Sequence, residues 1–221
     1  MIRFRGQVYQ PLPTGALYWA AGEALLVADL HFEKMSAFAA TGQLLPPYDT
    51  RMTLARLERD LTLTGAKRVI ALGDSFHRDF GVTTLLPADR ERLLALTRRA
   101  EWTWLAGNHD PSPHALGGVC RAEVALGGCL LSHEPRQGAR GLIAGHLHPA
   151  ARVAMNGQSA RRACFVWDEN LMILPAYGAA TGSLNILSPA FAGLFSRASL
   201  QVAMLGRDRV YSVSVRRLVA G

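Results

Sequence analysis

The chain has 221 residues, of which 49% are hydrophobic and 19% charged, and its formal net charge is +7. This composition excludes an intrinsically disordered chain, because disorder requires low hydrophobicity together with high charge. The positive excess favours polyanionic partners such as nucleic acid, anionic lipid or phosphorylated metabolites. Since 22 of the 24 basic residues are arginine, a coding bias towards arginine explains it equally well.

The first half of the chain alternates buried strands with amphipathic helices. Leu54, Leu57 and Leu61 recur at helical spacing, with Asp49 before them as a candidate N-cap and Gly65 after them as a stop. The predicted elements are a strand at 24–28, a helix at 50–64, a strand at 68–72, a helix from Pro87 to Arg99 and a strand at 102–106. This order predicts a sheet covered by helices.

The second half changes to short strands separated by turn sequences. Hairpins are predicted for residues 121–126 with 129–132, 164–167 with 171–174 and 201–205 with 210–215, and a further strand for 141–144. Together the two halves predict an α/β four-layer sandwich, in which two packed mixed β-sheets are flanked by helices. We expect one domain that spans residues 1–221.

Polar residues follow the predicted strands directly, at the edge of a sheet where ligands collect. They are Asp29, His31, Asp74, Asn108, His109, Asp110, His133, His146 and His148. Asp29 and His31 are two residues apart, as are His146 and His148, so extended backbone would aim each pair in one direction. Gly73, Gly107 and Gly145 precede three of these groups and allow close backbone approach.

The ligand types in this set are carboxylate, imidazole and carboxamide, without thiolate. They favour hard or borderline divalent ions, Mn²⁺ first and Fe²⁺ or Zn²⁺ as alternatives. Seven ligands exceed one tetrahedral site and fit two ions roughly 3.5–4 Å apart that share one carboxylate, which is an arrangement for phosphoryl chemistry.

The ordered motifs Asp-x-His, Gly-Asp, Gly-Asn-His-Asp, His and Gly-His-x-His resemble those of the calcineurin-like binuclear metallophosphoesterases, over residues 24–150. Several loop strings further resemble the bacterial DNA-ligase-associated metallophosphoesterases, which are DNA repair nucleases. These strings are residues 28–34, 45–50, 73–77, 132–135 and 174–178.

The resemblance implies a role for each site residue. The first ion would take Asp29, His31 and His148, the second Asn108, His133 and His146, with Asp74 between them. A hydroxide bridging the ions would be the nucleophile. His109 would act as general acid or transition-state stabiliser. Asp110 would orient the His109 ring, or alternatively stabilise the turn before Pro111.

Substrate contacts are less sharply indicated by the sequence. Arg78, Arg136, Arg140 and Arg152 lie close in sequence to the ligands and would hold a nucleic-acid backbone, or would be ordinary surface charge. His77 would contact DNA or a ligand, or face solvent. We expect Trp102, Trp104 and His114 to have structural roles.

The leading hypothesis is a binuclear-metal phosphodiesterase or endonuclease that cleaves DNA, with single-stranded DNA favoured, in repair alongside a DNA ligase and a helicase. The alternative is a small-molecule phosphodiesterase, or a nucleotide or dinucleoside polyphosphate hydrolase. Three cysteines without a Cys-x-x-Cys pair argue against disulfides and a zinc ribbon. They favour the cytoplasm, and no stretch is apolar enough to predict membrane contact.

Overall fold

Two β-sheets and four α-helices make up the part of the chain that the computed structural model describes, which is residues 1–39, 42, 48–155 and 157–220. The helices are α1 Lys34–Ala39, α2 Asp49–Thr64, α3 Gly81–Thr84 and α4 Pro87–Arg99. The strands are β1 Ile2–Phe4, β2 Gln7–Pro11, β3 Leu17–Trp19, β4 Ala24–Val27, β5 Arg68–Ala71, β6 Glu101–Leu105, β7 Val119–Arg121, β8 Val124–Leu126, β9 Cys129–Leu131, β10 Leu142–Ala144, β11 Pro149–Met155, β12 Gln158–Trp167, β13 Leu171–Ile173, β14 Leu184–Asn185, β15 Gln201–Leu205 and β16 Val210–Val213.

The first sheet contains β1 to β7 in chain order. Strands β1 to β4 form an antiparallel meander, and β4 to β7 run parallel. Helix α2 connects β4 to β5 and α4 connects β5 to β6, as the alternating pattern predicts. The parallel strands therefore end at one edge, where the loops after β4, β5 and β6 meet.

The second sheet has the order β14-β11-β12-β13-β10-β9-β8, with β15 paired to β12 and β16 to β15. Strands β9, β10 and β13 run parallel, so a second set of carboxyl ends is available to the site. A parallel bridge from Ala28 to Ala176 joins the loop after β4 to the loop after β13. The two sets of carboxyl ends thus face the same region.

The layers pack through three apolar clusters. Leu26, Ile70 and Leu105 of the first sheet meet Leu131, Ile143 and Phe165 of the second in the central cluster. Leu54, Leu57 and Leu93 of the helices cover the other face of the first sheet. Residues 186–195, which include a 3-10 turn at Pro189–Phe191, cover the outer face of the second sheet. The two packed mixed sheets and the helices over the first sheet are as predicted, whereas the described layer over the second sheet is this irregular segment instead of α-helices.

Helix α2 confirms the predicted apolar stripe but corrects its start. Gly65 ends the helix in a left-handed conformation, and its N–H donates to the carbonyl of Leu61. The N-cap is Tyr48 rather than Asp49, because the Asp49 carboxylate instead accepts a hydrogen bond from the amide of Met35 at 3.1 Å. Residues 45–47, the first part of the resemblance string at 45–50, lie outside the described residues.

The hairpin predicted for residues 121–126 with 129–132 is wrong in its first arm. Arg121 ends β7, which pairs with β6 in the first sheet, and only β8 forms the hairpin with β9. The chain crosses between the sheets at Ala122 and Glu123. The prediction also missed β1, β2, β3, β11 and β14, of which β1, β3 and β14 have three residues or fewer.

Trp102 and Trp104 are buried as expected, with ring centroids 4.6 Å apart and each indole N–H donated to a backbone carbonyl. The cysteines Cys120, Cys129 and Cys164 are unpaired, in agreement with the prediction. Among the described residues, no helix has both the length and the apolar character needed to cross a membrane.

Candidate metal centre

The polar residues singled out by the sequence converge where the strands of both sheets end. The loops after β4, β5 and β6 supply one side and those after β9 and β10 supply the other. Backbone hydrogen bonds fix these loops to one another: Asp29 donates to the carbonyl of Gly73 and His31 to that of Asp74. Main-chain hydrogen bonds therefore hold the loop after β4 against the loop after β5.

The ligand loops are not extended, which corrects one step of the sequence argument. Asp29 and His31 have φ values of 53° and 44°, and Asp74, His146 and His148 also lie in the left-handed region. Left-handed φ is uncommon for residues other than glycine and concentrates at functional sites, at a cost of about 1–3 kcal/mol each. Leu30, between Asp29 and His31, lies in the core, and the left-handed backbone on either side of it replaces the strand pleating that the spacing predicts.

Asp29, His31 and His148 form the first group of candidate ligands. One ligand atom from each lies within 4.8 Å of the others. The Nε2 atoms of His31 and His148 are 3.2 Å apart, and His148 Nε2 is 3.5 Å from Asp29 Oδ1. His148 donates its Nδ1–H to the carbonyl of Gly182, which leaves Nε2 free to bind a cation.

Asp74, His133 and His146 form a second group with the same 4.8 Å limit. His133 Nε2 lies 3.3 Å from Asp74 Oδ1, 3.2 Å from His146 Nδ1 and 2.9 Å from the Oδ1 of Asn108. His133 donates its Nδ1–H to the carbonyl of Leu72, so its Nε2 also faces the site. Asn108 thus joins this group, as the resemblance implies.

Asp74 lies between the two groups. Its Oδ1 is the atom next to His133, and its Oδ2 is 3.8 Å from His31 Nε2. The main-chain N–H of His109 donates to Oδ1 at 3.0 Å and fixes the carboxylate. One carboxylate therefore presents one oxygen to each group.

Three glycines make this close approach possible. A Cβ on Gly73 would lie 2.5 Å from the ring of His133, and one on Gly145 would lie 2.8 Å from Asp29 Oδ2. A Cβ on Gly107 would overlap the backbone and carboxylate of Asp74. The expectation that these glycines permit close backbone approach is confirmed.

The electrostatics of the site favour bound positive charge. Burial alone would lower the pKa of His133, but its hydrogen bond to Asp74 and the charges of Asp29 and Asp74 raise it to about 9. Burial alone would raise the pKa of Asp74, but His133 outweighs it and lowers the value to about 2. Burial and the neighbouring His148 lower the pKa of His31 to about 3.

These residues fit divalent metal ions. Two nitrogens 3.2 Å apart can share at most one proton, and this occurs twice, in His31 with His148 and in His133 with His146. A cation bound between the two nitrogens would accept the lone pair of each. The donor set of imidazole, carboxylate and carboxamide suits Mn²⁺, Fe²⁺ or Zn²⁺.

His109 lies at the open side of the centre with 39% of its side chain exposed. Its Nδ1 donates to the carbonyl of His77 at 2.9 Å, and its Nε2 points inwards, 4.0 Å from Asp74 Oδ2. The imidazole of His77 stacks on that of His109, with centroids 5.2 Å apart. His77 therefore lies beside the site, in contact with His109.

Asp110 does not orient His109, and that prediction is wrong. Its carboxylate is buried and accepts a hydrogen bond from the amide of Phe76 at 3.0 Å, because the chain turns away from the centre before Pro111. Burial raises the pKa of Asp110 to about 7. Asp110 therefore fixes the loop after β5.

The four predicted arginines have different surroundings. Arg136 rims a groove of about 340 Å³ lined by Asn108 and His133, where it pairs with Glu123 at 2.8 Å. Arg78 is half-buried next to His77, with its guanidinium over the ring of Phe80. Arg140 is exposed and shares a second groove with Arg136, and Arg152 lies further along β11.

The sequence could not have indicated the carbonyls that orient the ligands. Leu72, His77 and Gly182 contribute main-chain oxygens, and no side-chain signal marks such a role. Glu33 is also buried here, and its carboxylate accepts a hydrogen bond from Thr50 of α2 at 2.8 Å. His114 packs edge-on against Trp104 and Phe76 and is structural, as expected.

The solved structures that are similar to this chain include the following three. The Pseudomonas putida nuclease MPE is 31% identical, over 96% of this chain and 98% of that chain, with a TM-score of 0.73. A protein of unknown function from Aquifex aeolicus is 18% identical over 57% and 78% of the two chains, with a TM-score of 0.40. The phosphoesterase Yfce from E. coli is 15% identical over 89% and 96%, with a TM-score of 0.39. No protein-family profile and no curated protein matches the chain.

Proposed function

The chain belongs to the metallophosphoesterase family of the Pseudomonas putida nuclease MPE, and on this premise we propose that it is an endonuclease that hydrolyses DNA phosphodiesters. It is a metal-dependent phosphoesterase. The observation that carries the proposal is the convergence of seven ligand side chains from both sheets, with one carboxylate between two groups of ligands. We propose single-stranded DNA as the substrate.

We assign one ion to Asp29, His31 and His148 and a second to Asn108, His133 and His146, with Asp74 shared. Such ions lower the pKa of water and neutralise charge on the phosphate, and Mn²⁺ is the ion we propose. His133 and His148 donate their Nδ1–H groups to carbonyls, so Nε2 is the nitrogen that each ring presents to an ion. The left-handed loops hold both carboxylates at fixed positions.

His109 is the residue that we place on the leaving oxygen. Its Nδ1 is held by the carbonyl of His77, so the ring cannot turn its Nε2 away from the centre without losing that hydrogen bond. Because the Nδ1–H is donated to that carbonyl, Nε2 carries a hydrogen only in the imidazolium form, and in this form it would donate a hydrogen bond or a proton to the departing 3′ or 5′ oxygen. The stacked ring of His77 restricts the same rotation.

Arg78, Arg136 and Arg140 are proposed to contact the strand at the rim, together with His77. Arg136 borders the groove that opens beside Asn108 and His133, where a strand can reach the ligands from outside. Its pairing with Glu123 makes it the weakest anion binder of the group, because the carboxylate offsets part of its charge. Arg152 is treated separately below.

The test is to incubate the purified protein with circular single-stranded DNA and with a small phosphodiester, in Mn²⁺ and in EDTA. We expect linearisation in Mn²⁺ only, and its loss in His31→Ala and in Asp74→Asn. His114→Phe is the matched control, because this histidine lies outside the centre. Hydrolysis of the small ester without cleavage of DNA at any low-salt condition would contradict the proposal and favour the small-molecule alternative.

We further propose that the reaction belongs to DNA repair in the cytoplasm, functionally associated with a DNA ligase and a helicase. This part rests on the loop strings of the sequence resemblance, and the three unpaired cysteines suit a reducing compartment. Deletion of the gene should sensitise cells to DNA damage, and a strain carrying Asp74→Asn should behave as the deletion. Equal survival of all three strains after DNA damage would remove this part of the proposal.

A further inference from the structure

The net charge of the chain lies entirely in its second part. Residues 1–134 contain fourteen basic and fourteen acidic residues, whereas residues 135–221 contain ten arginines and three carboxylates. In the first part several basic side chains pair with acids, as Arg92 does with Glu58 at 2.8 Å. A general bias towards arginine does not explain this division, because the first part also contains twelve arginines but balances them with carboxylates.

A two-stranded ribbon formed by β11 and β12 carries three of these arginines next to the metal centre. Arg152 of β11 lies directly opposite Arg161 of β12 in the antiparallel register, and Arg162 follows on β12. Like charges directly opposite in a β-ribbon destabilise it, so this pair works against the fold. An anion bound between the two guanidinium groups would remove that repulsion.

Among the described residues, the arginines of the ribbon donate their hydrogen bonds to neutral acceptors. Arg152 donates to the Oγ of Ser159 at 3.0 Å, Arg161 to the carbonyl of Ser183 and Arg162 to the carbonyl of Arg161. Arg161 and Arg162 are exposed and Arg152 is half-buried. No aspartate or glutamate occurs between Glu134 and Asp168, so the ribbon has no acid of its own to neutralise them.

The ribbon begins at a candidate metal ligand. His148 immediately precedes β11, and its Nδ1 is held by the carbonyl of Gly182. The next residue, Ser183, provides the carbonyl that Arg161 binds at 2.6 Å. The guanidinium of Arg161 therefore binds the carbonyl next to that of Gly182, which orients His148. Arg152 lies four residues after His148, further along β11.

The turn at Val215–Arg217 extends the same positive surface. Leu218 bridges to Val153 of β11, and the amide of Val219 donates to the carbonyl of Arg152. Arg216 is exposed on this turn and lies beside the ribbon. Arg216 thus adds a further positive charge beside the ribbon.

We propose that Arg152 and Arg161, which are directly opposite each other and therefore share one face of the ribbon, form a track that binds the phosphodiester backbone of the substrate strand on the His148 side of the centre. The proposal rests on the proposed function and specifies how a polymer is distinguished from a small ester. Guanidinium groups suit phosphate because they offer several donors in one plane. A strand cleaved at the ions would continue along the ribbon, whereas a dinucleotide would not reach it.

The test uses the full chain with Arg152→Gln and Arg161→Gln combined. Glutamine removes both charges but keeps a donor for Ser159 and for the carbonyl of Ser183. The matched control is Arg90→Gln with Arg98→Gln, which removes two exposed arginines from α4 on the opposite side of the first sheet. Binding of a dye-labelled oligo(dT) is measured in EDTA by fluorescence anisotropy across a salt series. Cleavage of oligo(dT), of a thymidine dinucleotide and of a small phosphodiester is measured in Mn²⁺.

We expect the ribbon variant to bind oligo(dT) about tenfold more weakly at low salt, and the slope of log K against log salt to fall by about 1.4, which corresponds to two lost phosphate contacts. Its cleavage of oligo(dT) should fall at least tenfold relative to its cleavage of the small ester. The preference for oligo(dT) over the dinucleotide should disappear. The control variant should match the parent in all four measurements.

Two results would overturn the track. In the first, affinity and salt slope equal those of the control variant. In the second, small-ester turnover falls in the same proportion as DNA cleavage, which would mean that Arg161 acts on His148 through Ser183 rather than on the strand. If the parent itself neither binds nor cleaves oligo(dT) but hydrolyses the ester, the proposed DNA substrate fails, which is distinguishable from both results.

Discussion

The main-chain N–H of His146 donates to both carboxylate oxygens of Asp29, at 3.1 and 3.0 Å. Asp29 follows β4 of the first sheet and His146 follows β10 of the second, so this contact joins the sheets at the centre of the site. It also explains why Gly145 is glycine, since a Cβ there would crowd the same carboxylate. Several expectations follow from such close packing around the ligands.

Gly73→Ala should cost more stability than a matched glycine replacement. Both Gly73 and Gly128 have positive φ, at 75° and 79°, so alanine is strained at either position. At Gly73 the new Cβ would also lie 2.5 Å from the His133 ring, whereas at Gly128 nothing lies within 4 Å. We expect about 1 kcal/mol for Gly128→Ala and about 1–3 kcal/mol more for Gly73→Ala, measured by denaturant unfolding.

Metal binding should separate the same two variants. Gly73→Ala should bind Mn²⁺ more weakly because His133 must move, and Gly128→Ala should bind as the parent does. Isothermal titration calorimetry gives both affinities. Equal stability losses in the two variants, or unchanged metal affinity in Gly73→Ala, would contradict this prediction. Either result would mean that the loop after β5 shifts to accommodate the new Cβ without displacing His133.

Replacement of His109 should affect substrates according to their leaving group. If Nε2 protonates the leaving oxygen, His109→Ala should slow DNA cleavage by about 10²–10⁴-fold. A p-nitrophenyl ester should be slowed far less, because p-nitrophenolate leaves without a proton. Steady-state kinetics on both substrates provide the comparison, and metal content should be unchanged. An equal loss on both substrates would assign His109 to stabilising the phosphoryl charge instead.

Asp74→Asn should reduce the binding of both metal ions together. Its Oδ1 faces His133 and its Oδ2 faces His31, so one substitution weakens both groups of ligands. His148→Ala should weaken the first ion and leave one tight site at His133. Metal stoichiometry after dialysis, measured by elemental analysis, distinguishes the two. Retention of one tight ion by Asp74→Asn would argue against a shared carboxylate.

His114 should make the protein sensitive to acid. Burial lowers its pKa below the ordinary 6.5, so the folded protein holds the imidazole neutral. The stability that depends on this neutral ring is therefore complete above pH 6.5 and declines as the pH falls below it. His114→Phe keeps the contacts to Trp104 and Phe76 and should lose less stability between pH 7 and pH 5. Parallel unfolding curves across that range for parent and variant would contradict this.

Tyr177→Phe should destabilise the protein without changing its chemistry. The buried Tyr177 hydroxyl donates to Asp60 Oδ2 at 2.9 Å, and its loss should cost about 1–3 kcal/mol. Its backbone N–H, which donates to the carbonyl of Ala28 beside Asp29, is unaffected. Tyr211→Phe, at an exposed position, is the control and should be neutral. Thermal unfolding measures the difference, and an equal effect of both variants would exclude the buried network as its cause.

The sequence predicted the parallel part of the first sheet and the position of the site because both depend on local signals. Buried apolar runs such as 24–28 and the leucine stripe of α2 need no tertiary information. Asp29, Asp74 and His133 were recognisable because polar groups at strand ends serve no packing purpose. The conformation of these residues was not recognisable, since left-handed φ at aspartate or histidine is imposed by the surrounding loops.

The remaining errors have a common physical origin in long-range partners. Asp49 is a residue type that is favoured at N-caps, but its carboxylate accepts a hydrogen bond from the amide of Met35 instead. Asp110 follows His109 in sequence, but the amide of Phe76 competes for it. The ribbon of β11 and β12 has little apolar alternation, because its outer part is exposed and arginine-rich. The sequence does not show that Arg152 lies opposite Arg161, because this pairing depends on the register between β11 and β12.

The placement of the ligands on two sheets has a consequence for folding. The candidate ligands run from Asp29 to His148 and span the contact between the sheets, so neither sheet alone can assemble the centre. A cation that binds only the assembled centre stabilises the native state by mass action. Metal availability therefore sets how firmly the two sheets stay docked, and a cell depleted of that ion would hold a looser protein as well as an inactive one.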